Sequence, residues 1–286
     1  MTRNRESCRP GIRRDKKAAS PAVSMVIITA ATVVLVVIAS SYALQVLTRQ
    51  QAEAELDTVQ NSILAFDDAL RDIAWDPEGS RSILFRTQYG NMLLMEDKSY
   101  TISSSGLSDT FSYNFDTATI KYQMPYGYGV PDTGSSYILG DGNTVVHRLS
   151  ESLGQVFVEY ESGATSITLN YRVRVSEQGQ TVVGQTTYNY VDIFVIKLNC
   201  NNGAISGSNF NLICKNVGLK TISAADYSQQ SSTVYTITDE TSARISVLDN
   251  AHPSDGDYID LVQDMNLKLG DNVIFNLIVA DVRVGT

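Results

Sequence analysis

The sequence predicts an α+β chain: one long N-terminal helix, transmembrane and then amphipathic, followed by an all-β, sandwich-like extracellular domain. Three observations predict it. No charged residue stands between Lys17 and Arg49. Apolar residues then recur at steps of three and four as far as Ile73. From Ser82 onward, short runs rich in Val, Ile, Tyr, Phe and Thr alternate with Gly, Ser, Asn and Asp.

The uncharged run from Ala18 to Thr48 exceeds the roughly 7–15 apolar residues of a secretory h-region and suffices for a membrane-spanning helix of about 20. Ser20 is placed to cap it, with Pro21 at the first turn, where a missing N–H costs nothing. Beyond Arg49, Leu56, Val59, Ile63, Phe66, Leu70 and Ile73 form one apolar stripe, with Glu, Gln, Asp and Arg on the opposite face. No Gly or Pro interrupts residues 22–76, and Asp76-Pro77-Glu78-Gly79 supplies a stop. A single helix from about Ser20 to Trp75 would be roughly 80 Å long at 1.5 Å per residue. The stripe has two uses open to it: docking on its own β domain, or contacting a neighbouring subunit.

Charge is unevenly spread. Residues 1–17 carry seven basic side chains against Glu6 and Asp15, a net of +5, so that the rest of a chain of formal charge -9 carries -14. A basic head on an acidic body argues against nucleic-acid binding. It fits a head left in the cytoplasm and a body moved outside.

The β region reads as many short strands. In "SITLNYRVRV", Ile167, Leu169, Tyr171, Val173 and Val175 alternate with Thr168, Asn170, Arg172 and Arg174, which predicts one strand with a buried and a wet face. "GQVFVEY" before it forms a hairpin partner through Glu161-Ser162-Gly163. "YVDIFVIKL" and "NVIFNLIVADVRV" are apolar on both faces and predict central strands. Weaker strands are expected near 82–87, 90–95, 109–115, 117–123, 144–149, 181–190, 210–215, 232–238 and 243–248, and a short turn near 259–266. The expected organisation is a leader at 1–18, the long helix at 19–76 and a β domain at 80–286, with an internal seam near 199–209.

Lys16-Lys17-Ala18, then Ala19-Ser20-Pro21, then a long apolar helix, resembles the class III signal peptide of archaeal type IV pilin-like and archaellin-like proteins. The resemblance covers about residues 13–75. "SPAVSMVII" only approximates the usual wording after Ser-Pro, and the apolar stretch lacks the Glu that bacterial pilins keep near their mature N-terminus. The resemblance implies that a prepilin peptidase cuts the basic leader on the cytoplasmic side. The cut falls after Ala18, with Lys17 and Ala19 as the neighbouring alternatives. It implies partners too: membrane lipid first, then like subunits or other pilins, with an assembly platform and a cytoplasmic ATPase. An uncleaved single-pass anchor holding an extracellular binding or adhesion module is the alternative. Ordinary signal peptidase cutting near Ala39-Ser40-Ser41 would require an unusually long h-region.

Chemistry is sparse. His147 lies in the strand-like "TVVHRL" and His252 precedes Pro253, neither beside a nucleophile motif. Gly-x-Ser-x-Gly, His-Glu-x-x-His and a phosphate-binding Gly-rich loop are all missing. No enzyme and no cofactor is expected. Asp255, Asp257, Asp260 and Asp264 offer closely spaced oxygens of the kind calcium takes, but their spacing is not that of an EF-hand and suits a solvated turn. Cys200 and Cys214 are either a disulfide closing a loop of about 15 residues, worth roughly 3 kcal/mol, or two buried thiols. "MPYGYGVPDTGSSY", 124–137, offers tyrosines either for adhesion and subunit contacts or to cover the sandwich edge. No Asn-x-Ser/Thr sequon occurs.

Overall fold

In the computed structural model, residues 20–125, 128, 134–161, 164–205, 207, 209–223, 234–251 and 256–286 are described. Lys17, Ala18, Ala19, His252 and Asp255 lie outside them, and Ser20 and Pro21 are described by their backbone alone.

Helix α1 spans Ser20–Ala74, 55 residues, as the absence of Gly and Pro requires. It stops where the sequence predicts. The Asp76 N–H bonds the Ile73 carbonyl at 3.0 Å, the Gly79 N–H bonds the Asp76 carbonyl at 3.0 Å, and Glu78 takes a positive φ of 66°. A compact unit begins inside the helix, at Ala52, and continues to Thr286. The expected boundary after residue 76 is therefore corrected: the second part of α1 is a core element of the β body.

Fifteen strands follow among the described residues: β1 (Ser80–Phe85), β2 (Asn91–Ser105), β3 (Ser112–Met124), β4 (Gly134–Leu139), β5 (Val145–Val146), β6 (Gly154–Glu161), β7 (Ala164–Tyr171), β8 (Val173–Val183), β9 (Thr186–Cys200), β10 (Gly203–Ile205), β11 (Phe210–Ser223), β12 (Tyr235–Thr236), β13 (Arg244–Asp249), β14 (Asp257–Asp260) and β15 (Asn272–Gly285). They form two sheets. One runs β1-β11-β15-β9-β8-β5, with β12 beside β15. The other runs β14-β13-β2-β3-β7-β6-β4, with β10 beside β2. The two strands read as central are central: β9 and β15 pair in parallel from Tyr188↔Asn272 to Cys200↔Val284. The β6–β7 hairpin is also as predicted, with Glu161 opposite Ala164.

Three expectations are corrected. "SITLNYRVRV" is not one strand: the chain leaves one sheet after Tyr171 and enters the other at Val173. Nor is its polar face wet. Thr168, Asn170 and Arg172 are buried. Segment 141–144 folds over that side, where the Gln155 side chain donates to the Asp141 and Asn143 carbonyls. Second, the strand expected at 181–190 straddles the β8–β9 turn, where Gly184 has a φ of 68°. Third, the seam near 199–209 does not divide the body. That segment supplies the end of β9 and strand β10, which pairs with β2 inside the one compact unit.

Two apolar clusters fill the sandwich. One is centred on Phe111, Tyr235 and Phe275, whose rings lie 5.2–5.9 Å apart, with Ile102, Ile193, Val247 and Leu277 around them. In the other, Val59, Ile63, Phe66 and Leu70 of α1 join Ile120, Tyr122 and Leu169 of one sheet and Leu198, Leu212 and Val282 of the other.

Candidate functional site: an apolar helix and its anchorage

From Val23 to Leu47 every large apolar side chain of α1 is exposed, between 38% and 71%. This stretch is long and apolar enough to cross a membrane by length and composition. The hydroxyls of Thr29, Thr32 and, just beyond it, Thr48 are satisfied within the helix. Thr29 Oγ1 donates to the Met25 and Val26 carbonyls at 3.0 Å, Thr32 Oγ1 to the Thr29 carbonyl at 2.9 Å, and Thr48 Oγ1 to the Leu44 and Gln45 carbonyls at 3.0 Å. Returning a hydroxyl to the carbonyl three or four residues back lets Thr sit in hydrocarbon without an orphaned polar group.

The stripe beyond it is used inside the chain. Val59, Ile63, Phe66 and Leu70 are fully buried, Ile73 is 2% exposed and Leu56 is half-buried against the same cluster. Of its two uses, docking on its own β domain is the one observed.

Three polar latches fix this part of the helix. At its start, the Glu55 carboxylate accepts from the backbone N–H groups of Gln88 (2.8 Å), Tyr89 (3.1 Å) and Gly90 (3.3 Å) in the β1–β2 turn, and from the Tyr122 hydroxyl at 2.6 Å. A Cβ on Gly90 would meet the Tyr122 ring at 2.4 Å, so the turn can close on the tyrosine only with glycine there. Burial and the Glu55 carboxylate push the Tyr122 hydroxyl pKa up, which keeps it a donor. Midway, Asp67, 1% exposed, accepts from the Tyr171 hydroxyl at 2.7 Å and pairs with Arg71 Nε at 3.0 Å. Burial raises the Asp67 pKa, while Tyr171 and Arg71 pull it back. At the end, the buried Asn216 side chain donates to the Ile73 and Ala74 carbonyls at 2.9 and 3.0 Å, from the bulge between Asn216 and Gly218 in β11. The last carbonyls of a helix have no partner of their own, so Asn216 supplies one from 142 residues away. Asn216→Ala is expected to leave the Ala74 carbonyl buried and unpaired, and the Ile73 carbonyl with the Asp76 N–H alone, and to lower stability by about 1–3 kcal/mol, read as a fall in Tm with helix content retained.

Pattern reading misses these latches, although Asp67 does leave a signal. It lies four residues after Ile63 and three before Leu70, on the apolar face itself, where an unpaired carboxylate is costly.

The remaining candidates do not converge. Cys200 and Cys214 are free and buried, and the disulfide is corrected on geometry. Both are paired with Val284, one on each side of β15. That places them two strands apart, about 10 Å, where a disulfide needs Cα atoms within about 7 Å. Burial and the nearby Glu96 push the Cys200 thiol up to about 11, and it lines a cleft of about 750 Å³ with Leu94, Lys215 and Arg283. His147 follows β5, with its backbone N–H on the Glu151 carboxylate at 3.3 Å. Asp257 is taken by the Thr144 N–H at 2.5 Å, Asp260 by the N–H groups of Val262 and Gln263, and Asp264 by the Asp260 N–H. Among the described residues no group of three or more His, Cys, Asp or Glu is placed to hold a metal ion. In the 124–137 segment, where 126–127 and 129–133 lie outside the described residues, Tyr128 is 5.2 Å from the Tyr89 ring and Tyr137 5.5 Å from Phe157, and both are exposed.

No family model, curated protein or solved structure matches the chain.

Proposed function

We propose that the chain is a non-enzymatic structural subunit of an archaeal type IV pilus-like surface filament. The observation that carries this reading is one helix in two environments. Its exposed apolar stretch, Val23–Leu47, runs without Gly or Pro into the segment that the β body buries from Ala52. A simple tether works equally well through a flexible linker. A subunit that enters the membrane through an unbroken helix whose later part, from Ala52, belongs to the core of its own body fits this reading.

In this reading, the basic leader is removed by a prepilin peptidase after Ala18, and the retained helix waits in the bilayer with the acidic body outside. Assembly exchanges lipid contacts for contacts with other copies, where close packing and not a gain in hydrophobic burial drives association. The platform and ATPase that drive it are those the family resemblance implies.

N-terminal sequencing of protein taken from cells with and without prepilin peptidase tests the reading, together with microscopy of surface filaments labelled for this polypeptide. Expected are a mature chain beginning at Ala19, loss of that cut without the peptidase, and label along the filaments. An intact Met1 in both strains, with label confined to the membrane, would replace the filament subunit with an uncleaved tether.

A further inference from the structure

Strands β6 and β7 place Val156, Val158, Ile167 and Leu169 in the cluster that α1 shares. The residues between them point to the other face of the sheet, where Gln155 is opposite Asn170 and Phe157 opposite Thr168. Segment 141–144 folds over this face. A pocket of about 240 Å³ lies there, walled by β2, β4, β6 and β7 and by Gly142 and Thr144. That is the space of about eight waters at roughly 30 Å³ each, suited to one small ring and below the range of drug-sized ligands.

Three of its side chains are more than nine-tenths buried: Tyr100 is 4% exposed, Asn170 6% and Gln155 7%. The Tyr100 hydroxyl, Asn170 Nδ2 and Gln155 Oε1 find no hydrogen-bond partner among the described residues, yet each keeps surface open to a ligand. Gln155 Nε2 donates to the Asp141 and Asn143 carbonyls, which leaves Oε1 as an acceptor. Asn170 is set the other way, with Oδ1 sealed in and the donor on offer. The charges close by are paired, Lys98 with Asp249 at 2.5 Å and Glu159 with Lys121 at 3.3 Å. An ion therefore meets no uncompensated charge. An apolar ligand would strip water from three polar atoms and return no hydrogen bond. The fitting ligand accepts from Asn170, donates to Gln155 and does either with Tyr100, and a set of hydroxyls does all three. Tyr137 and Phe157, with ring centroids 5.5 Å apart, add an aromatic wall for the C–H face of a ring. A preformed ring also loses less freedom on binding than a linear polyol.

We propose that this pocket binds an uncharged hexopyranose, with its hydroxyls on Gln155 Oε1, Asn170 Nδ2 and the Tyr100 hydroxyl and its ring against Tyr137 and Phe157. The site belongs to the β body and does not depend on filament assembly.

The full chain, in a detergent whose headgroup carries no sugar, is titrated with the methyl pyranosides of glucose, galactose and mannose, followed by ligand-observed NMR. Three controls divide the chemistry: glycerol has hydroxyls without the ring, cyclohexanol the ring without the set of hydroxyls, and acetamide an amide in place of both. Saturable binding of at least one hexoside is expected, with every control weaker by roughly tenfold or more, the worth of one or two hydrogen bonds. A methyl hexoside bound as tightly as the free hexose marks the end residue of a glycan as the ligand, and a preference for the free hexose marks the free sugar. Tyr100→Phe removes one oxygen and keeps the ring, so it should weaken the hexoside by roughly fivefold or more with Tm unchanged. Tyr137→Ala, at a position 43% exposed that does not threaten folding, should weaken it similarly by removing the wall. No saturable binding of any of the three hexosides, a control that binds as tightly, or either variant folded and of unaltered affinity would each overturn the assignment.

Discussion

Phe66→Ala is expected to be the most damaging single truncation in the body, costing about 3–5 kcal/mol. Phe66 is fully buried and meets Phe85 edge-on with ring centroids 6.1 Å apart, in the cluster that joins α1 to both sheets. Removing the ring opens a cavity bounded by three elements, none of which can move in without giving up its own ladder or latch. For a domain of this size, at roughly 2–4 °C per kcal/mol, the loss corresponds to a fall in Tm of about 6–20 °C. Phe66→Leu, which keeps most of the volume, should cost less than about 1.5 kcal/mol. Thermal unfolding followed by circular dichroism checks both. Equal and small effects would mean that α1 does not share a core with the sheets.

The second large effect separates the two ends of the same helix. Leu35 and Val36 are 64% and 63% exposed, within the apolar stretch. Placing Arg at both is expected to cost membrane insertion roughly 5–7 kcal/mol, at about 2.5–3.5 kcal/mol for each charge near a span's centre. The Leu35→Arg/Val36→Arg chain should leave the membrane fraction. Its body should unfold at an unchanged temperature, because the compact unit begins only at Ala52. Fractionation and thermal unfolding of one preparation measure both, and a lowered Tm in the body would contradict that division.

Much of this architecture is legible from residue order. The helix is, because 22–76 contains neither Gly nor Pro and its stop is built from Asp76-Pro77. So are β9 and β15, whose apolar runs have no other use than a sheet centre. What stays hidden is set by partners distant in sequence. The alternation through Tyr171, Val173 and Val175 continues unbroken across Arg172, yet the chain changes sheet there, since period two records a buried face and not which sheet owns it. Strand β2 runs on past residue 95, where the expected strand ends, through a register shift between Met95 and Lys98. Strand β11 does the same past residue 215 at the bulge that lets Asn216 reach the helix. The thirteen residues between Cys200 and Cys214 suggest a closed loop only while β15 is out of sight.

The position of β15 bears on how the molecule comes to exist. It is the last strand in sequence but sits between β9 and β11, and its Val282 and Val284 belong to the cluster that covers the α1 stripe. A ribosome or translocon delivers the chain from the other end, so the cover that Val282 and Val284 give Ile63, Phe66 and Leu70 arrives after the part supplied by Ile120, Leu169 and Leu198. A nascent chain stalled before residue 272 would lack the strand that joins β9 to β11, and with it part of the stripe's cover.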